Sequence, residues 1–200
     1  IIWDDLRALR FPAAAMLALA LLSVWVGTTQ VARFTIPIEE TTVNHFAERL
    51  QEMITNWRVG DFVPVLAVLL QNVRTMLVAM LLGFLSLGVL SVLPLGLTMA
   101  VVGYLMELLR LNGLAPWVYL AFILPHGIIE IPAMILATAS LLRAGALMAT
   151  PGLQKTTGEV WIETAADWCR IMVGLVIPLL LLAAFIETWV TPRIAILFVQ

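Results

Sequence analysis

The sequence predicts an all-α fold: a polytopic membrane helix bundle of about five spans. Three observations carry that prediction. Of 200 residues, 62% are hydrophobic and only 12% are charged, against about 25% charged in soluble domains. Mean hydropathy is +1.03. The apolar residues also fall in continuous stretches near the ~20 residues that cross a bilayer, so residues 1–200 read as a single membrane domain.

The first span is expected over 11–28, flanked by Arg7 and Arg10 and ending near Trp25. It lacks a clear small-residue cleavage site, so it reads as a retained helix rather than a signal peptide. The polar stretch 29–61 follows. Within it Val43, Phe46, Leu50, Met53, Ile54 and Trp57 recur at three- and four-residue intervals, which is one face of an amphipathic helix. Thr41 or Thr42 would cap it. Its polar face carries Glu48, Arg49 and Glu52, poorly suited to anionic headgroups, which favour Lys/Arg-rich faces. A helix lying over the bundle is the plain reading, and a partner-docking surface is the sharper one. Residues 62–71 form a shorter apolar run, expected as a second surface helix.

The second span is expected over 73–92, entered by Asn72 and Arg74, and the third over 93–111, closed by Glu107 and Arg110. No charge separates them, so a tight or partly buried turn is expected around Leu93-Pro94-Leu95-Gly96. The fourth span, 115–148, is long and expected to be broken. The segment 151–168 opens with Pro151-Gly152 and places Trp161, Ala165, Trp168 and Met172 on one face, as an interfacial helix would. It feeds a fifth span over 169–191, bracketed by Trp168 and Trp189 as interfacial anchors. Short flanks carry the positive-inside signal best. Arg7 with Arg10, and Arg143 with Lys155 and Arg170, predict a cytoplasmic N-terminus.

Net charge is −2, which gives no support for nucleic-acid binding. The single cysteine, Cys169, excludes an intrachain disulfide framework and a cysteine-only metal site.

Apart from the phenol of Tyr119, residues 117–142 carry only two ionisable groups, His126 and Glu130. A charge at the bilayer centre costs roughly 2.5–3.5 kcal/mol on insertion scales, so an anchor would not carry one without reason. The two residues are four apart and share a helix face. Pro125 removes a backbone donor, Gly127 adds freedom and Pro132 follows closely. A helix break beside a His and a Glu is how transporters build mid-membrane sites; a hydrogen-bonded polar knot that fixes packing is the plain alternative. Glu187, near the end of the last span, is expected to share this cavity if the fourth and fifth helices pack together. Pro178 invites a kink in that last span. Arg143 is a candidate counter-charge, or snorkels to the interface. Asn72 and Arg74 join the polar network or serve as an ordinary helix start.

One histidine plus scattered carboxylates is thin for a metal site. Zinc hydrolases usually supply several N or S ligands, often as His-Glu-x-x-His, and that pattern is absent, as are Gly-x-Ser-x-Gly and P-loop motifs. No metal, cofactor or catalytic residue is expected. An intramembrane enzyme using a Glu–His proton relay is the least favoured class. Small residues recur at Ala79, Gly83, Gly88, Gly96, Gly103, Ala133, Ala137, Ser140 and Ala144, which suits close helix packing and is compatible with a homo-oligomer.

The run Leu124-Pro125-His126-Gly127-Ile128-Ile129-Glu130, with Ala133 and then Leu142-Arg143-Ala144-Gly145, resembles the central signature of the stage II sporulation protein M family. The stretch Pro178 to Glu187 with Thr191-Pro192 is similar to that family's C-terminal signature, and Asn72 with Arg74 to its second-span entry. The resemblance covers roughly residues 60–195; the first 60 match in layout only. The chain departs from the pattern before the third-span glycines, reading Leu95-Gly96-Leu97-Thr98 without Asn-Gly. The resemblance implies a multispanning prokaryotic membrane protein. In endospore formers the namesake is a membrane scaffold for cell-wall hydrolases, while many relatives occur in organisms that never sporulate. A non-enzymatic scaffold with membrane lipids and other membrane or envelope proteins as partners is therefore expected. The rival is a transport component, either a small permease or a membrane subunit, using the buried His/Glu site. The chain has no internal repeat of the kind common in secondary transporters.

Overall fold

In hydrocarbon a backbone N–H or C=O finds no water, so a spanning segment must satisfy its polar groups internally. The computed structural model does so with helices and describes residues 7–31, 61–111, 113, 116–150 and 156–194. The amphipathic helix expected within 29–61 lies almost wholly outside the described residues. Among the described residues, five helices are long and apolar enough to cross a membrane. They comprise α1 (Arg10–Gln30), α2 (Phe62–Leu85), α3 (Val92–Leu111), α4 (Pro116–Ala149) and a last span, Gly158–Ile194, made of all but the first residue of α5 (Thr157–Ile171) together with α6 (Ile177–Phe185) and the turns around it.

The second span begins at Phe62, not at residue 73. The Asp61 carboxylate accepts a hydrogen bond from the Val63 N–H at 3.1 Å, and Pro64 falls in the first turn, where a missing N–H costs nothing. The run 62–71 is thus the start of a span rather than a surface helix. Asn72 and Arg74 consequently lie near the middle of α2 rather than at its entry.

The α2–α3 turn also lies earlier than expected. Leu87 (φ 52°) and Gly88 (φ 89°) take left-handed backbone, and a short 3-10 turn, Val89–Ser91, leads into α3. Ser86 Oγ donates to Leu82 O and accepts from Leu90 N–H. Leu93 to Gly96 are already helical, and Pro94 is tolerated in the first turn. Gly145 of α4 lies against the backbone of Leu87 and Gly88, where a Cβ would collide.

The fourth span is one continuous helix containing both Pro125 and Pro132. The expected break is reduced to two absent N–H donors, because neighbouring helices hold the chain on both sides. Prolines act differently in the last span. Met172–Val176 and Ile186–Val190 are π-helical, with Ile177 N–H bonding Met172 O and Thr191 N–H bonding Ile186 O. Each π segment ends two residues before a proline, Pro178 or Pro192. A proline ring crowds the carbonyl four residues back, here that of Gly174 or Thr188, and the wider turn relieves it. At the other end, Thr156 and Glu159 form a capping box that starts α5.

Helix α4 forms the hub, touching every other span. Ala133, Ala137, Thr138, Ala139 and Leu141 are almost fully enclosed. Helices α1 and α3 approach so closely that a Cβ on Gly27 would strike the Ala100 carbonyl, and one on Gly103 that of Val24. The outer surface is apolar, with Leu21, Trp25, Leu81, Leu97 and Ile128 all more than half exposed.

Candidate functional site

Helix pairing sets the site. α4 packs on α2, on α6 and on the π segment Ile186–Val190, which aligns the middle of α4 with the middle of α2 and with Glu187. His126 and Glu130, one turn apart on α4, face Glu187 across this seam. The three residues can each present a ligand atom such that all three atoms lie within 4.8 Å of one another. All three are half-buried.

They line a cavity of about 270 Å³, together with Asn72, Gln71 and Thr75 of α2 and Thr98 of α3. Among the described residues, no Lys or Arg lines it. Thr75 Oγ1 donates to Gln71 O at 3.1 Å and Thr98 Oγ1 donates to Pro94 O at 2.8 Å, so both hydroxyl oxygens keep lone pairs. The His126 Nδ1 lies 3.5 Å from Thr191 Oγ1. In the Nδ1–H tautomer the ring donates to that hydroxyl and leaves Nε2 free. Asn72 Nδ2 is buried with no acceptor among the described residues. A buried amide normally finds a partner, so this donor calls for water or a ligand.

Among the described residues, neither the Glu130 nor the Glu187 carboxylate accepts a hydrogen bond or joins an ion pair. A polar knot that fixed packing would satisfy its carboxylates. These two instead confront each other across open space, where ionised carboxylates repel unless a proton or a cation lies between them.

The π segment also matters locally. It carries Glu187 and inserts an extra residue into the turn, shifting which side chains face α4; π segments of this kind are frequent at functional sites. Thr188 Oγ1 donates to Ala184 O at 2.9 Å, and Thr191 is almost fully buried.

Of the sequence candidates, His126, Glu130, Glu187 and Asn72 converge here. Arg143 does not line the cavity; thirteen residues along α4 from Glu130, it lies about 20 Å away at ~1.5 Å per residue. Arg74 points elsewhere. It is exposed and lines a neighbouring groove of about 550 Å³ that shares Gln71 and Thr75 with the cavity. Pro125, Gly127 and Pro132 sit within the intact α4, with Gly127 buried. Sequence reasoning missed Gln71, Thr75, Thr98 and Thr191. Gln71 and Thr75 were traceable as an i, i+4 polar pair beside Asn72, once α2 is known to start at Phe62.

A family model described as stage II sporulation protein M matches residues 13–192. No curated protein and no solved structure matches the chain.

Proposed function

The chain belongs to the stage II sporulation protein M family, and from that membership we propose that it is a non-enzymatic membrane assembly component, with its N-terminus in the cytoplasm, that gathers envelope or membrane partners. The observation that carries the proposal is Arg74. Its side chain sits near the middle of α2, exposed on the outer face of the bundle. It has no ion-pair partner among the described residues. A guanidinium facing hydrocarbon at this depth costs roughly 2.5–3.5 kcal/mol on insertion scales. A partner helix bringing a carboxylate into the groove lined by Leu70, Arg74 and Val78 removes that cost. Packing of α2 on α4 and α6 gives such a partner a fixed face to dock on.

The test is crosslinking mass spectrometry on the tagged chain in its native membrane, beside Arg74→Leu. The expected result is a defined set of membrane or envelope partners for the unaltered chain. That set is lost from Arg74→Leu, although the protein still accumulates. An identical partner set with both chains, or none with either, overturns the reading.

A second reading, a transport component, is favoured by the two carboxylates that face the cavity without a hydrogen bond from the described residues. Under it, Glu130→Gln abolishes function while the protein inserts and accumulates normally. A cytoplasmic ATPase, or a small molecule that co-purifies with the chain and is lost in Glu130→Gln, is the signature to seek.

A further inference from the structure

We propose that His126, Glu130 and Glu187 form a binding site for a divalent transition-metal ion inside the membrane bundle. The inference does not rest on the assembly reading. It rests on the convergence of three ligand side chains, on the charge of the cavity and on the Asn72 amide, which has no acceptor among the described residues.

The donor set comes first. One imidazole nitrogen and two carboxylate oxygens suit ions such as Zn²⁺ and Mn²⁺. Mg²⁺ and Ca²⁺ prefer oxygen alone, so the histidine selects against them. The three ligand atoms lie within 4.8 Å of one another. Ligands around an ion at about 2.0–2.2 Å stand roughly 3–4 Å apart, so glutamate rotamer changes close the remaining gap. Three protein ligands leave an open position, which the cavity of about 270 Å³ can fill with water.

Charge points the same way. Two carboxylates face a cavity with no Lys or Arg in its lining among the described residues. Two ionised carboxylates, a neutral imidazole and a dication sum to zero. That is the arrangement a low-dielectric interior tolerates best, since each uncompensated buried charge costs several kcal/mol.

The surroundings supply the outer partners such a site needs. Thr191 Oγ1 stands 3.5 Å from His126 Nδ1, placed to accept from Nδ1–H and orient Nε2 as ligand. Asn72 lines the same cavity, and its buried Nδ2 lacks an acceptor among the described residues. It is placed to donate to a metal-bound water or to a coordinated carboxylate oxygen. The ligands also come from two spans, so an ion would clamp α4 to the π segment Ile186–Val190.

The experiment uses the full chain, tag-free in nanodiscs, stripped with EDTA and titrated with Co²⁺ as the visible probe. Zn²⁺ follows as competitor and Mg²⁺ as control. The expected result is uptake of one equivalent of Co²⁺ with ligand-field absorption, displaced by Zn²⁺ and indifferent to Mg²⁺. Glu187→Gln and His126→Gln, checked for helicity and monodispersity, weaken binding by about tenfold or more. His45→Gln, which alters the only other histidine, binds as the unaltered chain does. Failure of the unaltered chain to take up Co²⁺ or Zn²⁺ overturns the proposal, whatever the variants do. So does uptake that survives in both ligand variants, which marks surface binding. Neither failure touches the partner set read out through Arg74.

Discussion

Glu130 and Glu187, fifty-seven residues apart in sequence and on different spans, present carboxylate oxygens within 4.8 Å of each other. They line a polar cavity that has no Lys or Arg in its lining among the described residues. This pairing gives the bundle a chemical centre as well as a packed interior.

The pairing can be tested without activity. In a Cys169→Ala background, Glu130→Cys with Glu187→Cys is expected to be bridged by Cd²⁺, read as a gain in thermal stability on adding the ion. Arg143→Cys with Glu187→Cys, about 20 Å apart along the α4 axis, is expected to show no gain. Equal behaviour of the two pairs contradicts the alignment of α4 with the last span.

Glu187→Gln keeps the side-chain shape and removes one of two facing negative charges. With no hydrogen bond from described residues to lose, thermal stability in the metal-free state is expected to stay within about 1 kcal/mol or to rise. Unfolding in a calibrated detergent titration measures this. A loss of about 3 kcal/mol or more would restore the packing-knot reading.

The α1–α3 seam is a separate matter of space. A Cβ at Gly103 collides with the backbone of Val24, and backbone cannot retreat as a flexible side-chain end can. Gly103→Leu is therefore expected to destabilise the bundle by about 1–3 kcal/mol or more. Gly113→Ala, with open space around it but a left-handed φ of 83°, is expected to cost less, of order 1 kcal/mol. Comparing their melting temperatures in one detergent checks the order.

The capping box makes a local prediction. Thr156→Ala removes the acceptor of the Glu159 N–H bond, 3.3 Å long, and is expected to cost about 0.5–2 kcal/mol. Hydrogen exchange is expected to rise in the first turn of α5 and to stay unchanged around Glu187. Faster exchange throughout the last span would show that the cap controls more than its own end.

Hydrophobicity and length by themselves determined that this is a helical membrane protein with five spans, because a bilayer leaves so few ways to satisfy a backbone. The His126–Glu130 pair was legible too, since charges within an apolar stretch are conspicuous and i, i+4 spacing fixes a common face. The family was legible in the run around Pro125 to Glu130, and the match over 13–192 bears it out. Boundaries were harder. The start of α2 depended on a single cap, Asp61, and the α2–α3 turn on two left-handed residues, neither of which stands out in hydropathy. Only tertiary structure decided which polar residues meet. Arg143 and Glu187 were equally eligible neighbours of Glu130 by composition. Helix register brought Glu187 in and left Arg143 about 20 Å along the axis. The same register turned Asn72 inward and Arg74 outward, because residues two apart on a helix cannot share a face.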